Sequence, residues 1–200
     1  MQNTKGSFIV LYGINNLGKT TQAKKLVDRL NTEGKKAVYL KYPIYDLAPS
    51  GPMLNAYLRE GNPHELSARE AQLLYALNRT QYEKTLVSLL ESGTHVIAED
   101  YSGTGICWGI GAGVDQDFME QINSHLLPED LVFLFVGDRF TEATEAAHKH
   151  ETNNSLISRV DAVHKERGDT HGWIVVEANE SIENIHDTLW KHVQHYMSSN

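Results

Sequence analysis

The 200-residue sequence predicts an α/β protein of three layers, in which a five-stranded parallel sheet is flanked by helices. Strand-like apolar runs alternate with helical patterns along the whole chain, and the first run leads directly into a glycine-rich loop. A strand, a helix and a second strand in succession favour a parallel, right-handed unit. The uniform alternation gives no reason for a boundary, so we expect one domain over residues 1–200.

The first apolar run, residues 8–12, continues into Gly13-x-x-x-x-Gly18-Lys19-Thr20. This is the P-loop pattern in the strand-loop-helix context that it requires, and it predicts a P-loop NTPase fold. Its glycines let backbone N–H groups point at phosphates, while the following helix adds its positive N-terminal end. We expect Lys19 to reach the β- and γ-phosphates and the Thr20 hydroxyl to bind Mg²⁺. The expected cofactor-binding set is Gly13, Asn15, Asn16, Gly18, Lys19, Thr20 and Thr21.

The next two elements have clear limits. A helix is predicted over residues 20–33, where apolar residues recur at helical spacing and Gly34 provides a C-cap. A second strand over residues 37–40 stops at Tyr42-Pro43, because a residue before proline is restricted in its backbone angles. These two elements complete the predicted parallel unit.

The middle of the chain carries a capping signal. Residues 44–52 are predicted as a loop and 53–59 as a short helix. Ser67 with Glu70 forms the capping-box pattern, which opens a long helix. A third strand follows over residues 95–98, and its carboxyl end is where open α/β sheets bind ligands.

The segment from Gly103 to Gly113 contains five glycines, and it predicts either a flexible loop or a glycine-weakened helix start. The rest of the chain continues the alternation. The predicted elements are a helix over 115–126, a strand over 131–136, a helix over 155–167, a strand over 173–176 and a helix capped by Ser181. The last helix carries Ile182, Ile185, Leu189 and Val193 on one face.

Composition narrows the classes of function. A formal net charge of −8 argues against a nucleic-acid partner bound through a broad basic surface. Cys107 is the only cysteine, so neither an intrachain disulfide nor a cysteine zinc cluster is expected. No stretch approaches the ~20 apolar residues of a membrane span, and the N-terminus lacks a signal-peptide pattern. We expect a cytoplasmic protein with no membrane partner.

Over nearly the whole chain, the order of these parts resembles the thymidylate kinases, within the nucleoside-monophosphate kinase group. The resemblance rests on the loop from Gly13 to Gln22, the Tyr42-Pro43 pair, residues 73–79 and residues 99–101. It implies transfer of a phosphoryl group from ATP to a nucleoside monophosphate, dTMP to dTDP, with Mg²⁺ as cofactor. It also leaves room for a homodimer.

The resemblance assigns the acceptor side of the site. In that family an aromatic residue of the long helix stacks on the thymine ring and an arginine contacts the base, which implies these roles for Tyr75 and Arg79. The two residues are four apart and therefore share a helix face. The implied substrate-binding set is Tyr42, Pro43, Tyr75, Arg79, Asp100 and Tyr101.

Two further catalytic residues are expected. Glu99 ends the third strand, where its carboxylate is able to hold a metal-bound water or accept a hydroxyl proton. Lys149 lies in a polar stretch that stands where the family has its mobile lid, near residues 138–154. The expected catalytic set is therefore Lys19, Glu99 and Lys149, with Thr20 and Glu99 at the metal.

The sequence departs from the family at two acceptor positions. Tyr45 and Asp100 stand where the family has arginines that bind the acceptor phosphate. A carboxylate at 4 Å from that phosphate would repel it by an amount on the order of 1 to 4 kcal/mol. Either other basic residues, such as Lys41, Arg59 or Arg69, take the place of these arginines, or the acceptor is not a monophosphate. Two alternative functions therefore stay open: a deoxynucleoside kinase-like activity on an uncharged acceptor, and a non-catalytic nucleotide-binding protein.

Overall fold

The computed structural model describes residues 5–140 and 153–199. Its described part contains five strands: β1 Phe8–Tyr12, β2 Ala37–Lys41, β3 His95–Glu99, β4 Leu131–Val136 and β5 Ile174–Glu177. They form one sheet in the order β2-β3-β1-β4-β5, and every pair is parallel. The predicted five-stranded parallel sheet is confirmed. The first strand is central, so the loop that follows it opens at the middle of the carboxyl edge.

Seven helices occupy the described ranges. They are α1 Lys19–Thr32, α2 Ser50–Arg59, α3 Ala68–Glu91, α4 Ser102–Gly111, α5 Gln116–Asn123, α6 Asn154–His171 and α7 Ile182–Ser199. The helix predicted from residue 53 begins three residues earlier, at Ser50. Within the described ranges, none of these helices combines the length and the apolar character that crossing a membrane requires.

The central strand separates the two helical layers. Ile9 and Leu11 pack on the side that includes Leu26 of α1 and Leu189 of α7. Phe8, Val10 and Tyr12 alternate with them and share the opposite core with Leu86 of α3. All five residues of β1 are buried, which is typical of a parallel strand covered on both faces.

The capping box predicted for α3 is confirmed. The Glu70 amide donates to Oγ of Ser67 at 3.2 Å, and the Ser67 amide donates to Oε2 of Glu70 at 2.8 Å. This local signal fixes where the helix begins. It thereby fixes which side chains of α3 reach the carboxyl edge of the sheet.

The glycine-rich segment is a helix over most of its length, so the flexible-loop alternative is wrong. Its glycines are places of close packing. A Cβ on Gly109 would lie 2.5 Å from Sδ of Met119, and one on Gly111 would lie 2.5 Å from Cγ2 of Val160. Packing against α5 and α6 therefore overrides the weak helix propensity of glycine.

The apolar face predicted for the last helix is correct for three of its four residues. Ile185, Leu189 and Val193 are buried, whereas Ile182 is 49% exposed. Ile182 is the first residue of α7, at the point where the helix has not yet come over the sheet core. Periodicity indicates the face of a helix but not where its contact with the core begins.

The lid predicted near residues 138–154 falls mainly on residues 141–152, which lie outside the described residues. Lys149 is among them. Its predicted role and the lid itself stay predictions.

His164 of α6 makes the stability of the fold dependent on pH. Its ring is 1% exposed, and burial lowers the pKa of His164 to about 3. The folded state keeps this ring neutral, while the unfolded chain binds a proton near pH 6.5. Between these two values the unfolded state holds the extra proton. The contribution of His164 to the free energy of unfolding is therefore fully present above pH 6.5. As the pH decreases below 6.5, this contribution is lost at about 1.4 kcal/mol per pH unit.

We expect His164→Leu to remove that contribution from the slope of unfolding free energy against pH. Urea unfolding measured from pH 7 to pH 4 checks this. His195→Leu is the matched control, because His195 is exposed and its replacement should leave the slope unchanged. An unaltered slope in the His164→Leu protein would contradict the prediction.

Candidate active site

Residues 13–18 form the loop between β1 and α1. Gly13 has a φ of 130°, and a Cβ there would lie 2.6 Å from the carbonyl oxygen of Phe135, so only glycine fits. Gly18 caps α1 with a φ of 79°. Among the described residues, no side chain caps this terminus and no acidic residue occupies its first turn. The first amide groups of α1 are thus suited to an anion.

Lys19 lies folded over this loop and is only 3% exposed. Its Nζ donates to the carbonyl oxygens of Gly13 at 2.9 Å and of Ile14 at 2.8 Å. It also lies 3.8 Å from Oδ1 of Asp100. The loop therefore holds a positive charge against its own backbone, beside the N-terminus of α1.

The Glu99 carboxylate is the centre of a buried hydrogen-bond network. Its Oε2 accepts from the Thr20 hydroxyl at 2.6 Å and from the Tyr39 hydroxyl at 2.7 Å, and Oε1 accepts from Nζ of Lys41 at 3.0 Å. Burial alone would raise the pKa of Glu99, but Lys19, Lys41 and the two hydroxyl donors outweigh burial, and the pKa is lowered. Glu99 is therefore an ionised carboxylate at neutral pH, and its oxygens are able to bind a cation.

Lys41, the partner of Glu99, ends β2 at the mouth of the site. Burial alone would lower the pKa of Lys41, but the carboxylates of Glu99 and Asp100 outweigh it and raise the pKa. The ammonium group therefore stays charged at neutral pH. The carboxyl edge of the sheet thus has a cation from β2 in addition to Lys19 beside the glycine loop.

Asp100 adopts a φ of 62° directly after β3. Its Oδ1 accepts from the Thr104 hydroxyl at 2.9 Å and lies 3.8 Å from Nζ of Lys19. Burial raises the pKa of Asp100, and Glu99 adds to this, against the opposing charge of Lys19. The sequence grouped Asp100 with the acceptor, and the side-chain contacts described for it are with Lys19 of α1 and Thr104 of α4. Asp100 thus lies in the wall of the cavity that also contains the glycine loop.

One cavity of about 400 Å³ connects the glycine loop to a compartment between α2 and α3. Every described residue selected from the sequence lines this cavity except Gly13, which is in the loop behind it. At the end away from the loop, its walls are formed by Tyr42, Pro43, Tyr75, Arg79 and Tyr101. Residues from four separate parts of the chain are thereby brought to one space.

Arg79 is held rigidly at that end. Its guanidinium is 3% exposed, with Nη2 donating to Oδ1 of Asn123 at 2.8 Å and Nη1 to the carbonyl of Tyr101 at 3.4 Å. The buried Nε has no hydrogen-bond partner within residues 5–140 and 153–199. Burial lowers the pKa of Arg79, but an arginine remains charged at neutral pH. A buried donor without a partner suits a ligand acceptor.

Sequence reasoning missed several contributors to the site. Tyr39 and Thr104 hold the two carboxylates, and Asn123 orients Arg79. The Phe140 amide donates to the Asn16 carbonyl at 2.8 Å, and its ring lines the cavity near Gly18. Tyr39 is the middle residue of β2, and the signal that the sequence offered for it was a polar hydroxyl on a predicted strand. Asn123 gives none, because only tertiary packing brings α5 to Arg79.

The sheet order, the glycine loop and the adjoining cavity define a P-loop phosphotransferase of the nucleotide kinase class. The family profile described as Thymidylate kinase matches residues 11–189. The chain therefore belongs to the thymidylate kinase family, which confirms the resemblance seen in the sequence.

Curated relatives agree with this membership, and a solved structure shares the fold. The human thymidylate kinase is 27% identical over 195 residues, covering 94% of this chain and 90% of its own. The thymidylate kinase of Dictyostelium discoideum is 24% identical over 188 residues, covering 92% and 83%. The structure of thymidylate kinase from Candida albicans superimposes with a TM-score of 0.77 at 20% identity, covering 98% of this chain and 94% of that one. The structural likeness shows the shared fold.

Proposed function

We propose that this protein transfers the γ-phosphoryl group of ATP to dTMP and releases ADP and dTDP. The observation that carries the proposal is the single cavity of about 400 Å³ that joins the glycine loop to the compartment of Tyr75 and Arg79. A kinase needs both substrates in one space, with the donor phosphates at the loop. The names of the curated relatives support thymidylate as the acceptor.

The proposed donor site consists of the glycine loop and the start of α1. Its amides and Lys19 would neutralise the β- and γ-phosphates, with Asn15, Asn16 and Thr21 beside them. The Thr20 hydroxyl and the Glu99 carboxylate lie 2.6 Å apart and together offer oxygen ligands that suit Mg²⁺. When bound, Mg²⁺ supplies charge neutralisation between the phosphates.

Two oxygen ligands from the protein, those of Thr20 and Glu99, are a set that fits magnesium. Among the described residues, no cluster of three or more His, Cys, Asp or Glu side chains is suited to a metal ion. Mg²⁺ commonly takes only one or two protein ligands and completes its octahedron with phosphates and water. Thr20 and Glu99 are therefore sufficient as the protein's contribution.

The proposed acceptor site uses the opposite end of the cavity. Tyr75 offers a ring that is 9% exposed and fixed by packing in the cluster of Leu54 and Tyr57. Stacking on the thymine ring suits such an aromatic face. Arg79 offers its buried Nε to an acceptor atom of the base. Tyr42, Pro43 and Tyr101 form the remaining walls.

Catalysis in this proposal is mainly positioning and charge neutralisation. Lys19 and the loop amides orient the donor, Glu99 anchors the metal side, and the rigid Tyr75 and Arg79 orient the acceptor oxygen for in-line attack. Lys149, outside the described residues, is proposed as a further cation that approaches when the lid closes and excludes water.

The test is an assay of ADP formation with Mg-ATP against nucleosides and nucleoside monophosphates, with identification of the phosphorylated product. We expect turnover with dTMP and formation of dTDP. Turnover of thymidine alone would replace the proposal by the second candidate, a nucleoside kinase. That candidate is favoured by one observation, the Asp100 carboxylate on the cavity wall, which is able to serve a hydroxyl nucleophile. A protein that binds ATP and forms no product is a non-catalytic binder.

Gly105 of α4 offers a mild test of the acceptor site. A Cβ there would lie 2.7 Å from Nη2 of Arg79 and 2.8 Å from Nη1. Alanine normally favours a helix over glycine by about 1 kcal/mol, but here the methyl group must displace the guanidinium. We expect Gly105→Ala to raise the KM for dTMP about 10-fold, since loss of about 1.4 kcal/mol of binding corresponds to that factor. An equal rise in the KM for ATP would contradict the prediction.

We also propose a homodimer that works in the cytoplasm. Leu73 and Leu77 of α3 are 46% and 41% exposed, and an apolar helix surface of this kind supports self-association. Sedimentation of the wild type against Leu73→Glu/Leu77→Glu tests the dimer. Localisation of the tagged protein tests the compartment.

A further inference from the structure

The acceptor phosphate needs a cation, and this inference rests on the proposed function. Four cationic side chains line the cavity within the described ranges: Lys19, Lys41, Arg59 and Arg79. Lys19 is bound to the carbonyls of the glycine loop, and Arg79 is bound to Asn123 and Tyr101 at the base end. The phosphate of a bound nucleotide lies between these two ends, so the remaining two cations are the candidates.

Arg59 is the less suitable of the two. It is the last residue of α2, and its guanidinium stacks over the ring of Tyr45 with 4.7 Å between Cζ and the ring centroid. This contact places it at the α2 wall. The Arg59 charge therefore faces an aromatic ring, whereas the Lys41 ammonium adjoins the donor site through its contact with Glu99.

Lys41 stands at the junction of the two compartments. It is the last residue of β2 and lies in register beside Glu99 of β3. Its Nζ is 3.0 Å from Oε1 of Glu99, whose other oxygen accepts from Thr20 of the donor site at 2.6 Å. Tyr42, the next residue, is already a wall of the acceptor compartment. Lys41 thus contacts Glu99, a proposed magnesium ligand, and is adjacent to the compartment proposed for the acceptor.

The Lys41 ammonium has the capacity to bind a phosphate. Its side chain is 48% exposed, whereas that of Glu99 is 6% exposed. An ammonium carries three N–H donors, and Glu99 accepts one of them. Lysine binds phosphates well as a point charge, and an ammonium beside Glu99 and Asp100 screens an incoming dianion from both carboxylates.

We propose that Lys41 binds the phosphate of the acceptor nucleotide and makes the site select a monophosphate over the uncharged nucleoside. It takes the part that arginines at the positions of Tyr45 and Asp100 would otherwise have. Lys41 is a specificity-determining residue in this assignment, and its contact with Glu99 sets the distance between donor and acceptor phosphates.

The experiment measures binding of dTMP, thymidine and Mg-ATP by calorimetry to the wild type, Lys41→Gln and Lys41→Arg. Lys36→Gln is the matched control, because Lys36 is exposed and lies just before the first residue of β2, whereas Lys41 is the last residue of that strand. We expect Lys41→Gln to weaken dTMP binding about 10- to 100-fold, the usual range for a hydrogen bond to a charged group. Thymidine and Mg-ATP should bind as before, Lys41→Arg should restore most dTMP affinity, and Lys36→Gln should change nothing.

Two results would overturn the assignment while leaving the proposed function intact. One is dTMP turnover with unchanged dTMP affinity in Lys41→Gln. The other is an equal loss for thymidine or Mg-ATP, which would make Lys41 a structural or donor-site residue. A wild type that phosphorylates thymidine and fails to use dTMP would instead overturn the proposed function, and the assignment with it.

Discussion

Lys19→Ala should lower kcat/KM for phosphoryl transfer by about 10³-fold without unfolding the protein, an effect in the range of losing one preorganised electrostatic donor. Lys19 directly follows the glycine loop, and its Nζ lies against the loop carbonyls and 3.8 Å from Asp100. The charge on the transferring group is spread over its oxygens, so the transition state depends on this ammonium. The measurement is initial rate by ADP release, with Mg-ATP and dTMP varied separately.

Lys25→Ala is the matched control for that experiment. Lys25 lies on the same helix, has a side chain 37% exposed and pairs with Glu183 at 3.7 Å on the surface. A surface ion pair of this kind contributes about 0 to 1 kcal/mol, so turnover and stability should remain near wild type. Circular dichroism and thermal unfolding of Lys19→Ala establish that its fold is retained. Near wild-type turnover by a folded Lys19→Ala protein would refute the proposed role.

The second large effect on activity is expected for Arg79→Met. We expect kcat/KM for dTMP to fall about 10- to 100-fold, because a charged donor to the base is lost, while the KM for ATP changes little. Stability should also fall by about 1 to 3 kcal/mol, because Oδ1 of Asn123 loses the donor that reaches it at 2.8 Å. Methionine keeps much of the volume of the arginine stem, so the helix packing is largely preserved. Steady-state kinetics and urea unfolding measure the two consequences separately.

Arg69→Met controls for loss of an arginine from α3. Arg69 is exposed and lies over the ring of Phe118, 3.7 Å from its centroid, away from the cavity. Its replacement should leave both KM values unchanged. If Arg79→Met weakened ATP binding and left acceptor kinetics unaltered, the assignment of Arg79 to the base would be wrong.

The sequence by itself determined the elements of this protein whose signals are local. The glycine loop could be located because Gly13 and Gly18 meet backbone requirements, φ of 130° and 79°, that other residues meet poorly. The start of α3 could be located because Ser67 and Glu70 satisfy each other's backbone amides. Alternation of strands and helices then left a parallel sheet as the consistent topology, with the site at its carboxyl edge.

Only the tertiary structure decided which side chains meet at that edge. Glu99 binds Thr20 and Lys41 across separations of 79 and 58 residues, and Arg79 binds Asn123 across 44. The glycine-rich segment forms helix α4 because α5 and α6 pack closely on it, although glycine has a weak helix propensity. These contacts depend on how distant elements pack and on the burial of charge. Neither the packing of distant elements nor the burial of charge can be predicted from the residues that are adjacent in the sequence.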